Sequence, residues 1–378
     1  MPGLVGEPRR ILITGVSRFW GSHLARRLEE DPSVEAIVAV DTRAPLVELK
    51  RTDYVRADIR HSLIGKLLHA MDIDTVVHAG LIVDPRRASA RVVHETNVIG
   101  TMNLIAACSA ADSPVRKLVV KSSTAIYGSE PDDPSFWAED MARKAPPRDT
   151  FTRDLDEVEA YVRDFRLRRP NAVVTLLRFA NVLGPTHDTP FVRLFDLPVV
   201  PTIAGFDPRL QFLDEEDAVR VLERVVLEDH SGTFNVAGPG IVLLSQAVQT
   251  MGKVNLPVIP FIGSSLAMLA LERIAPVGFS PHLLRLLQYG RVVDTGALCA
   301  RLGDVVQHSS AETVQAHARN RRVRDIVRAE PAYQYEAELE EFLRARRPAG
   351  NGHAPAAMPA PTRPVRRRRK PRRAPAQS

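Results

Sequence analysis

The chain has 378 residues, 44% hydrophobic and 25% charged, a balance that predicts a folded body large enough for one α/β unit and a smaller lobe. Its net charge of +6 comes from residues 348–378, which hold eight basic side chains (Arg363, Arg366, Arg367, Arg368, Arg369, Lys370, Arg372 and Arg373) and no acid. Of the 51 basic residues, 43 remain outside this tail against 45 acidic ones, which argues against a nucleic-acid-binding body.

In chain order, Met1 to Arg10 offers no apolar run, so no signal peptide is expected. Short runs rich in Val and Ile at Ile11–Thr14, Ala36–Val40, Thr75–His78 and Lys117–Ser122 predict buried parallel strands. Helical stretches lie around Ser22–Glu30, Ile64–Met71 and Glu95–Ala111. A further helix, Arg153–Arg169, ends at Pro170, and the strand Val173–Arg178 follows it. This alternation predicts a parallel sheet covered by helices on both faces. From about Pro185 the pattern loosens into short apolar pieces and prolines, as in a smaller lobe. Within it, Leu256–Phe279 is interrupted by Pro257, Pro260, Glu272, Arg273 and Pro276, and no membrane span is expected. The two cysteines, Cys108 and Cys299, exclude a disulfide framework and a four-cysteine zinc site, and no metal site is predicted. A reducing cytosol fits.

The first strand runs into Thr14-Gly15-Val16-Ser17-Arg18-Phe19-Trp20-Gly21-Ser22-His23-Leu24. A glycine-bearing turn between strand and helix brings backbone N–H groups and the helix dipole to a pyrophosphate. Gly15, Ser17, Arg18, Phe19, Trp20 and Gly21 are therefore candidate cofactor contacts. The next strand ends at Asp41, where an acid accepts the adenosine ribose hydroxyls. Its charge favours NAD over NADP, with Arg43 nearby weakening that preference.

With further markers in order, the chain resembles the extended short-chain dehydrogenase/reductase family of sugar-nucleotide epimerases and dehydratases. The resemblance spans about residues 10–305. Asp58-Ile59 is similar to the pair flanking the adenine, and His78-Ala79-Gly80 to the His-Ala-Ala element after the fourth strand; the resemblance implies Asp58, Ile59, His78, Ala79, Gly80 and Asn97 as further cofactor contacts. Asn97-Val98-Ile99-Gly100-Thr101 resembles the start of the family's Asn-x-x-Gly-Thr helix. Ser122-Ser123-Thr124-Ala125-Ile126-Tyr127-Gly128 resembles Ser-Ser-x-x-Val-Tyr-Gly, which assigns the active-site hydroxyl to Ser123 and places Thr124 and Tyr127 at the substrate pocket. Arg178-Phe179-Ala180-Asn181-Val182-Leu183-Gly184-Pro185 resembles the bridge into the substrate lobe, with Arg178 and Asn181 shaping the pocket. Gln211 to Ala218 and Phe234-Asn235-Val236 continue the match.

The resemblance implies a Rossmann-type doubly wound sheet with a smaller substrate lobe. Residues 1–184 would form the dinucleotide domain. Residues 185–347 would form the substrate lobe and C-terminal helices, with segments returning to the Rossmann core, and residues 348–378 a disordered basic tail. It also implies NAD, a nucleotide-sugar substrate, and a homodimer through the helices matching Glu95–Ala111 and Thr152–Arg168. Val158, Tyr161, Val162 and Phe165 give the second helix an apolar stripe that fits either a dimer or the protein's own sheet.

Two departures stand out. The middle glycine of the family's triplet is Arg18, which would clamp a diphosphate, block the site, or point to solvent. In place of the catalytic tyrosine and lysine, the chain has Phe151 and Leu155, with Glu159 in register. No tyrosine here has a lysine four residues later, and Tyr161 is too far along the helix. Phe151 has no proton to exchange and Leu155 no charge, so ordinary alcohol oxidation loses its acid–base group. Lys121, two residues before Ser123 and so on the same strand face, is the candidate replacement. Asp154 is expected to favour the helix N-terminus, and His78 to be a structural hydrogen-bonder. Two function classes follow: an NAD-dependent enzyme acting on a nucleotide sugar, or a dinucleotide-binding sensor or scaffold whose basic tail contacts a partner, anionic lipid or nucleic acid.

Overall fold

The computed structural model describes residues 9–83, 88–258 and 280–329, with side chains to Arg322. The expectations for Met1–Pro8, for most of the 256–279 stretch and for the 348–378 tail lie outside the described residues. The chain divides into two compact units, Met1–Arg324 and Asp325–Ser378, and the sheet and clefts described below belong to the first.

Seven parallel strands form the main sheet: β1 (Arg9–Thr14), β2 (Val34–Asp41), β3 (Thr52–Arg56), β4 (Thr75–His78), β5 (Lys117–Ser123), β6 (Val173–Phe179) and a late strand, Gly232–Val236. Their order is late strand, β6, β5, β4, β1, β2, β3. The fold is thus Rossmann-like, with the order reversing between β1 and β4, where ligands sit in open α/β sheets.

Side chains alternate between two cores. Ile11, Ile13, Ile37, Ala39, Val77, Val119 and Leu177 face one; Leu12, Val38, Val40, Val76, Leu118, Val120 and Leu176 face the other. The first core packs α1 (Phe19–Leu28) against the sheet. The second packs α2 (Leu63–Ala70), α4 (Gly100–Ser109) and α5 (Thr150–Arg168), and α4 is entered from α3 (Ala90–His94) through a π turn at Glu95–Ile99. The helix foreseen from Glu95 therefore starts earlier and carries a π turn.

On α5, Val158, Val162 and Phe165 are buried in the protein's own core, with Tyr161 packed against it. The stripe thus covers the sheet, which leaves the dimer reading without that face. Strand β3 was not foreseen. It is an edge strand with exposed Asp53, Tyr54 and Arg56, so it lacks the Val/Ile run that marks its neighbours.

After β6 come β7 (Asn181–Leu183), α6 (Pro190–Asp196), β8 (Val199–Ile203), β9 (Arg209–Leu210), β10 (Phe212–Asp214) and α7 (Glu215–Leu227). Asp214 caps α7 by accepting the Glu216 N–H at 2.8 Å. Helix α7 then packs beside α1 in the first core and leads into the late strand, β11 (Gly232–Val236). A third apolar cluster joins Phe191, Phe195 and Phe212 to Leu283, Leu286 and Leu287 of a helix at Pro281–Tyr289.

Candidate functional site

The turn after β1 is built by three glycines that touch. Gly15 has φ +82°, and a Cβ there would lie 2.4 Å from the Gly80 Cα. A Cβ on Gly21 would lie 2.8 Å from the Gly15 carbonyl carbon. The backbones after β1 and β4 therefore close onto each other, and α1 begins directly above with no side-chain cap.

Over this clasp runs a cleft of about 320 Å³ lined by Gly15, Arg18, Asp41, Asp58, Ile59 and Gly80, among others. Asp41 ends β2 and accepts the Ser17 N–H at 3.0 Å and the Arg43 N–H at 3.2 Å. Asp58 is gripped by Arg60 through bonds of 2.6–3.0 Å, and these hold its carboxyl below the usual range. Arg18 does not point to solvent. It is half-buried and donates from Nη1 to the Gly80 carbonyl at 3.2 Å, so its charge lies across the clasp.

Two residues matched to the cofactor site are occupied within the fold. His78 bonds Thr14 Oγ1 through Nδ1 and Thr101 Oγ1 through Nε2, both at 2.8 Å. Burial, and then the nearby Lys121, push its pKa down to about 4, so the ring is neutral. Asn97 accepts the Ile82 N–H at 2.7 Å and donates to the Ile82 carbonyl at 3.0 Å, pinning the segment after Ala79 and Gly80.

A second cavity, of about 290 Å³, shares Ile82 and Ala88 with the first. Trp20, Lys121, Ser123, Phe151, Asn181, His187, His282 and Arg291 are among its lining residues. Period-two alternation puts Lys121 and Ser123 on the α1 side of β5, and both reach this space. Ser123 Oγ also accepts the Ala125 N–H at 3.2 Å. Trp20 packs against Phe179 with ring centres 4.6 Å apart and planes tilted by 50°, and the Lys121 ammonium lies 4.8 Å from the Trp20 ring centre. Phe19, the neighbour of Trp20, is buried against His187 with ring centres 4.5 Å apart.

Thr124, Tyr127 and Arg178, placed at the substrate pocket by resemblance, do not line this cavity. Thr124 is buried in the short turn after β5. Arg178 forms a forked ion pair with Glu159 and donates to the Tyr127 hydroxyl at 2.7 Å. Tyr127 donates in turn to Asn235 Oδ1 at 2.7 Å, and Ser122 to Glu159 at 2.6 Å. These groups form a buried lock joining β5, β6, α5 and β11. Burial works against the Arg178 charge, but Glu159 more than offsets it and raises its pKa.

The catalytic positions diverge. Phe151 lines the cavity, 6.0 Å edge-on from His282, whereas Leu155 is fully buried in the apolar core with Val158. Asp154 is buried too, bonded at 2.7 Å to His94. A lysine at position 155 would enter that core, where the buried carboxylate one turn on, Glu159, is already paired with Arg178. We therefore expect Leu155→Lys to cost about 3 kcal/mol or more in urea unfolding, and Phe151→Tyr with Leu155→Lys not to raise turnover above that of the wild type. A stable double variant that turns over about tenfold or more faster than the wild type would refute this.

Sequence reading missed His187, His282 and Arg291. His187 follows the Gly184-Pro185 bridge closely and had a local signal. His282 and Arg291 arrive from far along the chain, and only the Ser280-Pro281 helix start marks their approach. Arg291 is buried, donating to the Gly128 carbonyl at 3.1 Å; burial lowers its pKa to about 10, still charged at neutral pH.

Comparison with known proteins gives this architecture a family. Residues 11–237 match the NAD dependent epimerase/dehydratase family. The chain belongs to that family. An uncharacterised protein of Mycobacterium tuberculosis is 39% identical, with 85% of this chain and 86% of the relative aligned. A UDP-glucuronic acid decarboxylase of Arabidopsis thaliana is 22% identical over 66% of this chain and 75% of the relative. Among solved structures, a UDP-glucose 4-epimerase from Thermotoga maritima with UDP-glucose superposes with a TM-score of 0.64 at 17% identity, covering 83% of this chain and 98% of that one. A UDP-glucuronic acid 4-epimerase from Bacillus cereus with UDP-glucuronic acid and NAD gives 0.62 at 18% identity, covering 82% and 98%.

The residues present fit an adenine dinucleotide, the cofactor of the epimerase/dehydratase family. An acid stands at the end of β2, the Gly15–Gly80 clasp leaves the cleft floor without side chains, and Arg18 adds a cation beside an uncapped helix start. Among the described residues no helix is long and apolar enough to cross a membrane, and none of the acids, histidines or cysteines group as a metal site.

Proposed function

We propose that the chain binds NAD in the cleft over Gly15 and a nucleotide sugar in the adjoining cavity, where a sugar hydroxyl is transiently oxidised. The observation that carries this reading is the adjacency of the two spaces, which have Ile82 and Ala88 in common: Asp41, Asp58 and Arg18 border one, and Lys121 and Ser123 open onto the other. Gly15 and Gly21 shape the turn, Asp41 accepts the ribose hydroxyls, and the Arg18 guanidinium serves the diphosphate as a clamp. NAD, when bound, supplies a two-electron acceptor; Ser123 donates to the reacting oxygen, and Asn181 borders the sugar. Its relatives and structural neighbours named for UDP sugars support the substrate class. A reducing cytoplasm suits Cys108, whose burial raises its thiol to about 12 and keeps it inert.

Calorimetry with NAD⁺, NADH and NADP⁺ tests the first half. We expect NAD⁺ to bind more tightly than NADP⁺, and Asp41→Ala to lose about tenfold or more while keeping the wild-type circular dichroism. Absence of binding by either cofactor would mean that Arg18 closes the cleft.

Phe151 and the core position of Leu155 favour a second reading, a dinucleotide-binding sensor or scaffold without turnover. It shares the binding result, but no nicotinamide is reduced when UDP sugars are added.

A further inference from the structure

We propose that Lys121 accepts the proton of the reacting substrate hydroxyl, in place of the tyrosine that Phe151 has replaced. The proposal rests on the dinucleotide and sugar reading above. Two buried lysines stand on the same face of β5, and they are treated in opposite ways. Lys117 donates to the Val226 carbonyl at 2.9 Å, the Glu228 carbonyl at 2.7 Å and Asp229 Oδ1 at 2.8 Å. Lys121 has no carboxylate and no hydrogen-bond acceptor among the described residues, and it opens onto the cavity beside Ser123. A buried amine is costly unless it is paired. Here its partner is left to whatever fills the cavity.

The surroundings poise this amine for proton uptake. Burial, and then the Arg18 charge, lower its pKa to about 7, while the face of Trp20 tempers the cost of the ammonium. In the step, the neutral nitrogen lone pair takes the hydroxyl proton and becomes ammonium. The carbon–oxygen double bond forms as the carbon-bound hydrogen leaves with its electron pair to the nicotinamide dinucleotide. A base near the working pH suits this task.

The other charged or titratable groups lining this space are Asp149 at the cap of α5, His187, His282 and Arg291, and Arg18 from the start of α1 and His78 on β4 act on Lys121 electrostatically from nearby. His78 and His282 are held neutral, chiefly by burial, and the arginines stay charged. A residue-specific readout separates Lys121 from His187 and Asp149.

The experiment labels the seven lysines with ¹³C at Cε and follows their signals with pH, with and without NAD⁺, in the wild type and in Lys121→Met. In parallel, nicotinamide reduction in a single turnover is recorded with UDP-glucose and UDP-glucuronic acid. We expect one signal, absent in Lys121→Met, to titrate near 7, and turnover to rise with pH along the same curve. Lys121→Met should bind NAD⁺ within about twofold of the wild type, yet lose about 100-fold or more in turnover. Lys121→Arg, protonated throughout, should be equally slow. An amine titrating above about 9, or undiminished reduction in Lys121→Met, overturns the proposal while leaving the ligand reading intact. Wild-type protein that binds NAD⁺ but reduces none of it also overturns the proposal, in favour of the sensor. Absence of dinucleotide binding removes both.

Discussion

Replacing Arg178 with methionine is expected to lower the unfolding free energy by about 3–5 kcal/mol, because Glu159 would stay buried without its charge partner. Glu159 is 5% exposed and would retain only the Ser122 hydroxyl. Tyr127 would lose one of its two polar partners. Urea unfolding measures the loss. A pocket role for Arg178 gives the opposite pattern: unchanged unfolding and weakened sugar binding. Arg178→Lys should recover only part of the stability, since an ammonium does not reproduce the forked pair. Arg178→Met combined with Glu159→Leu should be less damaging than Arg178→Met alone, because no charge is then stranded. A single variant within about 1 kcal/mol of the wild type would mean that the lock carries little load.

Lys121→Met is expected to do the reverse and stabilise the fold at neutral pH. The lysine falls from an ordinary 10.5 to about 7 on folding, so between those values the unfolded chain holds a proton that the folded chain has released. Wild-type stability therefore rises with pH across that window. The cost of burying Lys121 is complete below pH 7 and gone above 10.5. At 1.36 kcal/mol per unit, the upper bound is roughly 5 kcal/mol. Urea unfolding of both proteins at pH 7 and pH 10 should show the variant well ahead at the lower pH and the gap mostly closed at the higher. A gap that does not change with pH would mean that the amine titrates normally. A residue that lowers stability while bordering a cavity is under a different constraint from one that supports the core.

Much of the fold was legible because its strands are buried on both faces. Thr75–His78 and Lys117–Ser123 are continuous Val-rich runs, and a doubly covered sheet requires them. Strand β3 escaped because an edge strand satisfies only one neighbour and tolerates Asp53 and Arg56. The site was legible where a motif is backbone geometry, as with Gly15, Gly21 and Gly80, whose lack of a Cβ is itself the requirement. It was less legible where side-chain direction decides. Position 155 matches the family's lysine in register, yet Leu155 faces the core, and Tyr127 and Arg178 match pocket positions but are bonded to each other. His282 and Arg291 join the cavity through long-range packing, for which no local pattern exists.

The route of the chain through the sheet also has a consequence for synthesis. Strand β6 emerges with β5 as its only neighbour, and its other partner, β11, is not made until everything from β7 to α7 has left the ribosome. Until then one edge of β6 stays unpaired beside a hydrophobic face that α7 will later cover. The nascent chain passes through an interval in which this edge of a largely buried strand is open, and chaperone demand should peak there rather than at the N-terminal strands.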